Sequence, residues 1–404
     1  MKEWKEYKIG DVCESISDTY KGKAPEVVLI NTSDVLEGKC LNHEKTPNKD
    51  LKGQFKKTFQ KDDILYSEIR PANKRFAYID FEPTDYIAST KLMVIRGNDK
   101  IDSQYLFYIL KSQSMLDELQ MLAESRSGTF PQITFSELAN LPITLPCISK
   151  QKEILAILKS LDDKIECNRR INENLEQQAQ ALFKSWFVDF EPFKDQPFIE
   201  SELGVIPQGW KSTILDELCS FISRGLTPKY NENSEELILG QTCVRNNIVT
   251  LNNARKHVPK VKNEKWVQQW DTLINSTGVG SLGRVGIVYF KMDNVAIDSH
   301  ITVVRAKSHL LSHYIGRNLL SRQLEIENMS VGSTGQTELP RDRVKSLPIL
   351  LPSDKALKQF NDIIEPMALH MYRNIEENKR LAELRDTLLP KLMSGELDVS
   401  DIKI

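Results

Sequence analysis

Along residues 148–190 apolar side chains recur at alternating steps of four and three. Ile154, Leu158, Leu161, Ile165, Leu175, Ala179, Leu182 and Trp186 predict one long helix with a heptad seam. Asn168 and Asn172 occupy the middle of that seam. The pattern returns 206 residues later as Phe360, Ile364, Met367, Met371, Asn374, Asn378, Leu381, Arg385, Leu388 and Leu392. One asparagine on a helix is ordinarily a solvated surface residue; four at matching places on two seams need another reason. If the two arms pair, the amides bond across the seam and penalise any slipped register that buries them against leucine. Asn168, Asn172, Asn374 and Asn378 are therefore expected to pin the register. An antiparallel pair brings them to a local two-fold axis and sends the flanking domains to opposite ends of an arm roughly 55 Å long. A parallel pair also aligns them, since the stretch from Glu191 to Gly209 is long enough to run back along the arm. Pro366, where the first arm has Ser160, should bend or restart the second helix.

The remaining sequence alternates differently. Short β-like runs, "DDILYSEI", "RFAYIDF" and "KLMVIR", precede a helical pattern near Asp102–Ala123, and "DTLINS", "RVGIVYF" and "ITVVRA" follow the same order later. The whole chain is written twice. "WKEYKIGDVCESIS" from Trp4 recurs as "WKSTILDELCSFIS" from Trp210, and "LPITLP" at Leu141 as "LPILLP" at Leu347, both 206 residues on. Between them the shift becomes 209, carrying "STKLMVIR" at Ser89 onto "DSHITVVR" at Asp298, as loop insertions and deletions would do. The predicted fold class is mixed α/β: two pseudo-symmetric globular domains separated by two long helices packed as an antiparallel coiled coil. Its segments are a domain at 1–147, a central helix at 148–190, a linker at 191–207, a second domain at 208–352, and a distal helix with tail at 353–404.

Composition narrows the function classes. With 404 residues, 40% apolar and 27% charged, the chain suits two or three globular domains, and the start "MKEWKEYKIGDV" lacks a signal-like apolar core. A cytoplasmic protein is expected. Six scattered cysteines form no C-x-x-C pair, so reduced structural thiols are expected. A formal net charge of −2 excludes indiscriminate coating of nucleic acid and leaves local or partner-shared contacts.

This order of segments resembles the specificity subunit of type I DNA restriction-modification enzymes over nearly the whole chain. The stretches that carry the resemblance are "DDILYSEIRP", "SGTFPQITFSELANLPITLP", "INENLEQQAQALFKSWF", "SELGVIPQGWK", "DTLINSTGVGSLGRVG", "GSTGQTELPRDRVKSLPILLP" and "ENKRLAELRDTLLPKLMSGEL". It implies that each globular domain is a target recognition domain reading one half of a split, asymmetric site on double-stranded DNA. The arms would act as a spacer. Two modification subunits, which bind S-adenosylmethionine and methylate adenine, would dock on the pseudo-equivalent faces, and restriction subunits working with ATP and Mg would join them. No cofactor is expected in this chain itself.

For DNA contact the basic and amide-bearing loops between strands are the candidates: Arg70, Lys74 and Arg75, with Arg284 aligned to Arg75, then Arg126, Ser127, Thr129, Ser333, Thr334 and Gln336 beside glycines. Lys159, Asp162, Asp163, Glu166 and Arg169 on the first arm either face partner subunits or are solvated. "GVGSLG" at Gly278–Gly283 fits G-x-G-x-x-G, but a strand-like run follows it, so a hairpin or DNA-facing loop is expected. His309 and His313 are four apart without the glutamate of H-E-x-x-H, and the first copy has Lys100 and Gln104 there, so no metal site is expected. No amino-methyltransferase, Walker or triad-like motif is present, and the chain is read as non-catalytic. The rival readings are a protein-binding scaffold with paired arms and a cofactor-dependent enzyme resting on "GVGSLG".

Overall fold

The computed structural model describes residues 4–49, 53–125, 131–258, 266–332 and 337–401. The chain divides into two compact units: Met1–Glu166 with Asn378–Ile404, and Cys167–Glu377. Each owns one globular domain and half of each arm helix.

The first arm helix, Ile148–Phe187, contains neither glycine nor proline, so nothing in its backbone interrupts it. The second, Asp354–Ser394, starts at Ser353, whose hydroxyl accepts from the Ala356 amide, and stops at Gly395 with a left-handed φ of +75°. The helix does not restart at Pro366. Pro366 is exposed, so the Asp362 carbonyl that loses its helical partner lies on the solvent side, where water serves in its place.

In the first unit the strands Cys13–Ile16, Leu92–Gly97, Ile64–Ser67 and Phe76–Tyr78 form one antiparallel sheet in that order. In the second unit Cys219–Arg224, Ile301–Ala306, Thr272–Asn275 and Val285–Ile287 repeat the order and extend into Asn247–Val249 and Val244–Arg245. Each domain adds a small sheet built on a parallel pair, Glu26–Ile30 with Tyr86–Ser89 and Leu237–Leu239 with Val295–Ile297. Each is also tied at its base, Lys5–Lys8 to Pro142–Leu145 and Lys211–Ile214 to Pro348–Leu351.

Side chains alternate across a strand, yet these strands read as unbroken apolar runs. The reason is a core on each face. Met93, Ile95, Ile64 and Tyr66 join the helices Ser103–Lys111 and Gln113–Glu124 on one side, while Leu92, Val94 and Leu65 meet Val28, Ile30 and Val35 on the other. In the second unit Ile274, Val285, Ile287 and Val304 face one core, and Leu273, Val303 and Ile301 the other. A bidentate pair on a buried aspartate braces each main sheet: Arg96 donates twice to Asp63 at 2.7 Å, and Arg305 donates to Asp271 at 2.9 and 2.7 Å.

The stretch read as a linker, 191–207, holds a hairpin of Phe198–Ser201 and Gly204–Pro207 whose Ile206 is buried. All six cysteines are free. Among the described residues no helix is long and apolar enough to cross a membrane.

Candidate nucleic-acid interface

Within each domain one hairpin places the candidate arginine. Between Ile64–Ser67 and Phe76–Tyr78 the chain makes a short 3-10 turn at Pro71–Asn73 flanked by Arg70 and Lys74, both with left-handed φ (47° and 53°). The Ser67 amide donates to the Arg75 carbonyl at 2.8 Å, and the Arg75 guanidinium donates to the Ser33 carbonyl at 3.0 Å. In the second domain the Asn275 amide donates to the Arg284 carbonyl at 2.9 Å, and the exposed Arg284 side chain donates to the Gly280 carbonyl at 2.6 Å. Arg75 thus braces the neighbouring turn Thr32–Asp34 and Arg284 the turn of its own hairpin, each with one arm, and a guanidinium has five donors.

The hairpins lie against the edges of the other candidate loops. The Arg70 amide donates to the Pro131 carbonyl at 3.0 Å, and the Ile133 amide to the Glu68 carbonyl at 2.9 Å. Thr277 bridges to Glu338, Val331 also bridges to Glu338, and the Leu339 amide donates to the Ser276 carbonyl at 2.8 Å. Arg126, Ser127, Thr129, Ser333, Thr334 and Gln336 themselves lie outside the described residues. In both domains the flanks of the second loop therefore meet the base of the hairpin.

"GVGSLG" is the turn between the strands Thr272–Asn275 and Val285–Ile287. Gly278, Gly280 and Gly283 all have left-handed φ, and a Cβ on Gly283 would sit 2.8 Å from the Glu327 backbone. No helix starts at the third glycine, which removes the dinucleotide reading. Val279 stands 85% exposed at the tip, and around the base Gln241 donates to the Thr277 hydroxyl at 2.9 Å while His300 Nδ1 meets that hydroxyl at 2.7 Å.

On the arms, the seam halves of each unit run antiparallel. In the second unit Asn168 donates to Glu377 at 2.7 Å, Asn172 to the Met371 carbonyl at 3.1 Å, and Asn374 to Asn172 at 2.8 Å. In the first unit Asn378 donates to the Ile165 carbonyl at 3.3 Å, the duplicate of the Asn172 contact. Asn168 is fully buried and Asn374 is 5% exposed.

Two of the outward charges are not free for partners. Asp162 accepts from Tyr108, from Lys111 at 3.0 Å and from Arg385 at 2.6 Å, and Glu166 pairs with Lys39 at 2.6 Å. Burial opposes the Asp162 charge, but Lys111, Tyr108 and Arg385 outweigh it and hold the carboxyl below its ordinary range. The second unit has a buried counterpart that sequence reading missed. Arg317, 1% exposed, donates to Glu176 at 2.6 Å, and Glu176 also accepts from Asn247 at 3.0 Å. Burial again raises the Glu176 carboxyl, and Arg317, with Gln180 and Asn247, more than reverses it. At the 209-residue shift Arg317 corresponds to Tyr108, so the two domains hold the arm from the same position with different chemistry.

The family model for the type I restriction modification DNA specificity domain matches residues 1–177 and again 207–384. The chain belongs to that family. It is 33% identical to the type I restriction enzyme HindI specificity subunit of Haemophilus influenzae over 98% of this chain and 100% of the relative. It is 30% identical to the MjaIX specificity subunit of Methanocaldococcus jannaschii over 75% of this chain and 71% of that one. The crystal structure of a type I restriction-modification S subunit from M. genitalium shares the fold at a TM-score of 0.58 and 16% identity, over 96% of each chain. Members of this specificity-subunit family are the non-catalytic DNA-recognition components of type I systems, which implies DNA, methyltransferase and restriction subunits as partners.

Proposed function

We propose that each globular domain reads one half of a bipartite, asymmetric site on double-stranded DNA, while the paired helices fix the spacing and dock two modification subunits. The observation that carries this reading is the repetition of one architecture with different side chains. Strand order, basal strand pair and hairpin-to-loop contact recur in both units, whereas the hairpin tips read "EIRPANKR" in one and "STGVGSLGR" in the other. A repeated scaffold offers the same surface twice and so accepts two copies of one partner. Diverged tips on it read two different words, and readers on a fixed frame impose a fixed gap, about 34 Å per helical turn of DNA in familiar dimeric readers. S-adenosylmethionine belongs on the modification subunits, and ATP with Mg on the restriction subunits.

The test is a map of methylated adenines in a genome carrying this chain with its partners. Two unlike half-sites separated by a constant gap are expected. A continuous motif, or two identical half-sites, would overturn the proposal.

A further inference from the structure

The two histidines that lack a glutamate in sequence acquire one in space. His309 opens the helix His309–Ser321, and His313 follows one turn later on the same face. Glu365 reaches them from the second arm helix, within the same unit. His309 Nε2 lies 3.5 Å from Glu365 Oε1, His313 Nε2 lies 4.0 Å from Glu365 Oε2, and the three ligand atoms all fall within 4.8 Å of one another. A tetrahedral zinc site with bonds of roughly 2.0–2.1 Å needs ligand atoms about 3.3 Å apart, so closing this one takes a contraction of side chains and no change of fold.

An ordinary ion pair between His309 and Glu365 explains only half of the arrangement. His313 is 2% exposed, and its Nε2 has no hydrogen-bond partner. A buried polar atom without a partner is costly and calls for an explanation. Burial favours the neutral imidazole, which is the form that binds a metal. The Trp270 ring lies 4.6 Å from the His313 ring, centroid to centroid, and walls one side. Asn361, one turn before Glu365, donates to the His309 and Leu310 carbonyls at 3.5 and 3.0 Å and fixes the helix start against the arm. His309 and Glu365 are 53% and 33% exposed, which leaves an ion a way in. The first copy has Lys100, Gln104 and Lys159 at the corresponding places and lacks the donor set.

We propose that His309, His313 and Glu365 bind a divalent transition-metal ion of the zinc class, with a fourth position left to water, and that the ion clamps the recognition-domain helix to the arm within the second unit. This inference does not depend on the DNA reading above. The test uses the full chain freed of metal with EDTA and titrated with Co2+, whose visible absorption reports tetrahedral coordination, and then with Zn2+ in competition. One equivalent per chain is expected, with a rise in Tm on adding Zn2+. His309→Ala, at an exposed position, should weaken Co2+ binding by more than about tenfold and abolish the Tm rise. Glu365→Gln should do the same, and His370→Ala, exposed elsewhere on the same helix, should change neither. No saturable binding, or binding that survives both His309→Ala and Glu365→Gln, would overturn the proposal.

Discussion

Replacing Asn172 by leucine removes the acceptor of the Asn374 amide, which is 5% exposed, and the donor to the Met371 carbonyl. A buried polar group left without a partner costs about 1–3 kcal/mol. The added leucine recovers part of that through burial, at about 25 cal/mol per Å2 of apolar surface. Asn172 is only half-buried, so the recovery is incomplete, and a net loss of about 1–3 kcal/mol is expected. Replacing Asn374 instead strands less and costs less, because the Asn172 carbonyl oxygen stays closer to water. Asn172→Leu with Asn374→Leu removes both ends of the bond and puts leucine against leucine there, while Asn168 and Asn378 keep their own bonds, so the double variant should return to within about 1 kcal/mol of the parent or exceed it. A double-mutant cycle should therefore show a favourable coupling of about 1–2 kcal/mol. Urea unfolding followed by tryptophan fluorescence measures it, since four of the five tryptophans, Trp186, Trp210, Trp266 and Trp270, lie in the same unit as both asparagines. Single variants within about 0.3 kcal/mol of the parent, with no coupling, would refute the reasoning and make these asparagines ordinary surface residues.

Glu176→Leu strands Arg317, which is 1% exposed, and should cost about 3–5 kcal/mol, whereas pairing it with Arg317→Met should restore most of the loss in the same urea assay. Asp162 and Glu176 are both held below their ordinary pKa, so their stabilisation is complete above the unfolded carboxylate range, near pH 4, and is lost as pH falls through the lowered folded values. Thermal melts should fall steeply below about pH 4, and Asp162→Asn should flatten that acid limb. If Arg284 touches a phosphate, Arg284→Ala in the assembled complex should lower the slope of log affinity against log salt by about one, as a filter-binding titration reads it.

The heptad arms and the duplication were legible because both are periodic in the chain itself, and so were the strand runs around Ile64, Met93, Ile274 and Val303. Contacts between distant positions were not. The heptad seam names one partner for the first arm helix, but Phe183 and Phe187 lie off it and, besides meeting Phe360 of the second arm, are buried against Trp210 and Tyr314 of the second domain. That second apolar face has a separate purpose, docking the helix to its own domain. Asp63 and Arg96 lie 33 positions apart, so no local pattern announces their pair. Asp162 read as either partner-facing or solvated because a charge on a helix face gives no sign of Tyr108, Lys111 and Arg385 arriving around it. Glu365 was invisible as a partner of His309 and His313 for the same reason, and that the helix runs on through Pro366 was hidden because its exposed setting could not be foreseen.

The contacts also decide what one module of this chain is. The core of the first domain continues into Ile154, Leu155 and Leu158 of the first arm and Leu389 and Leu392 of the second, and Asp162 joins Tyr108 and Lys111 to Arg385. A transplant of residues 1–147 alone would therefore face a foreign arm surface and leave Asp162 and Arg385 without the tyrosine and lysine they were folded around. The self-consistent piece is 1–166 together with 378–404, the first compact unit. Exchanging that piece for the same unit of another family member should change one half of the methylated site, spare the other, and keep the stability of both parents. Exchanging 1–147 alone should change the same half at a cost in stability, most of it recovered when 148–166 and 378–404 follow. If both exchanges prove equally stable, the arm halves are interchangeable rods and the boundary lies at residue 147. If either alters both half-sites, the reading is not modular at all.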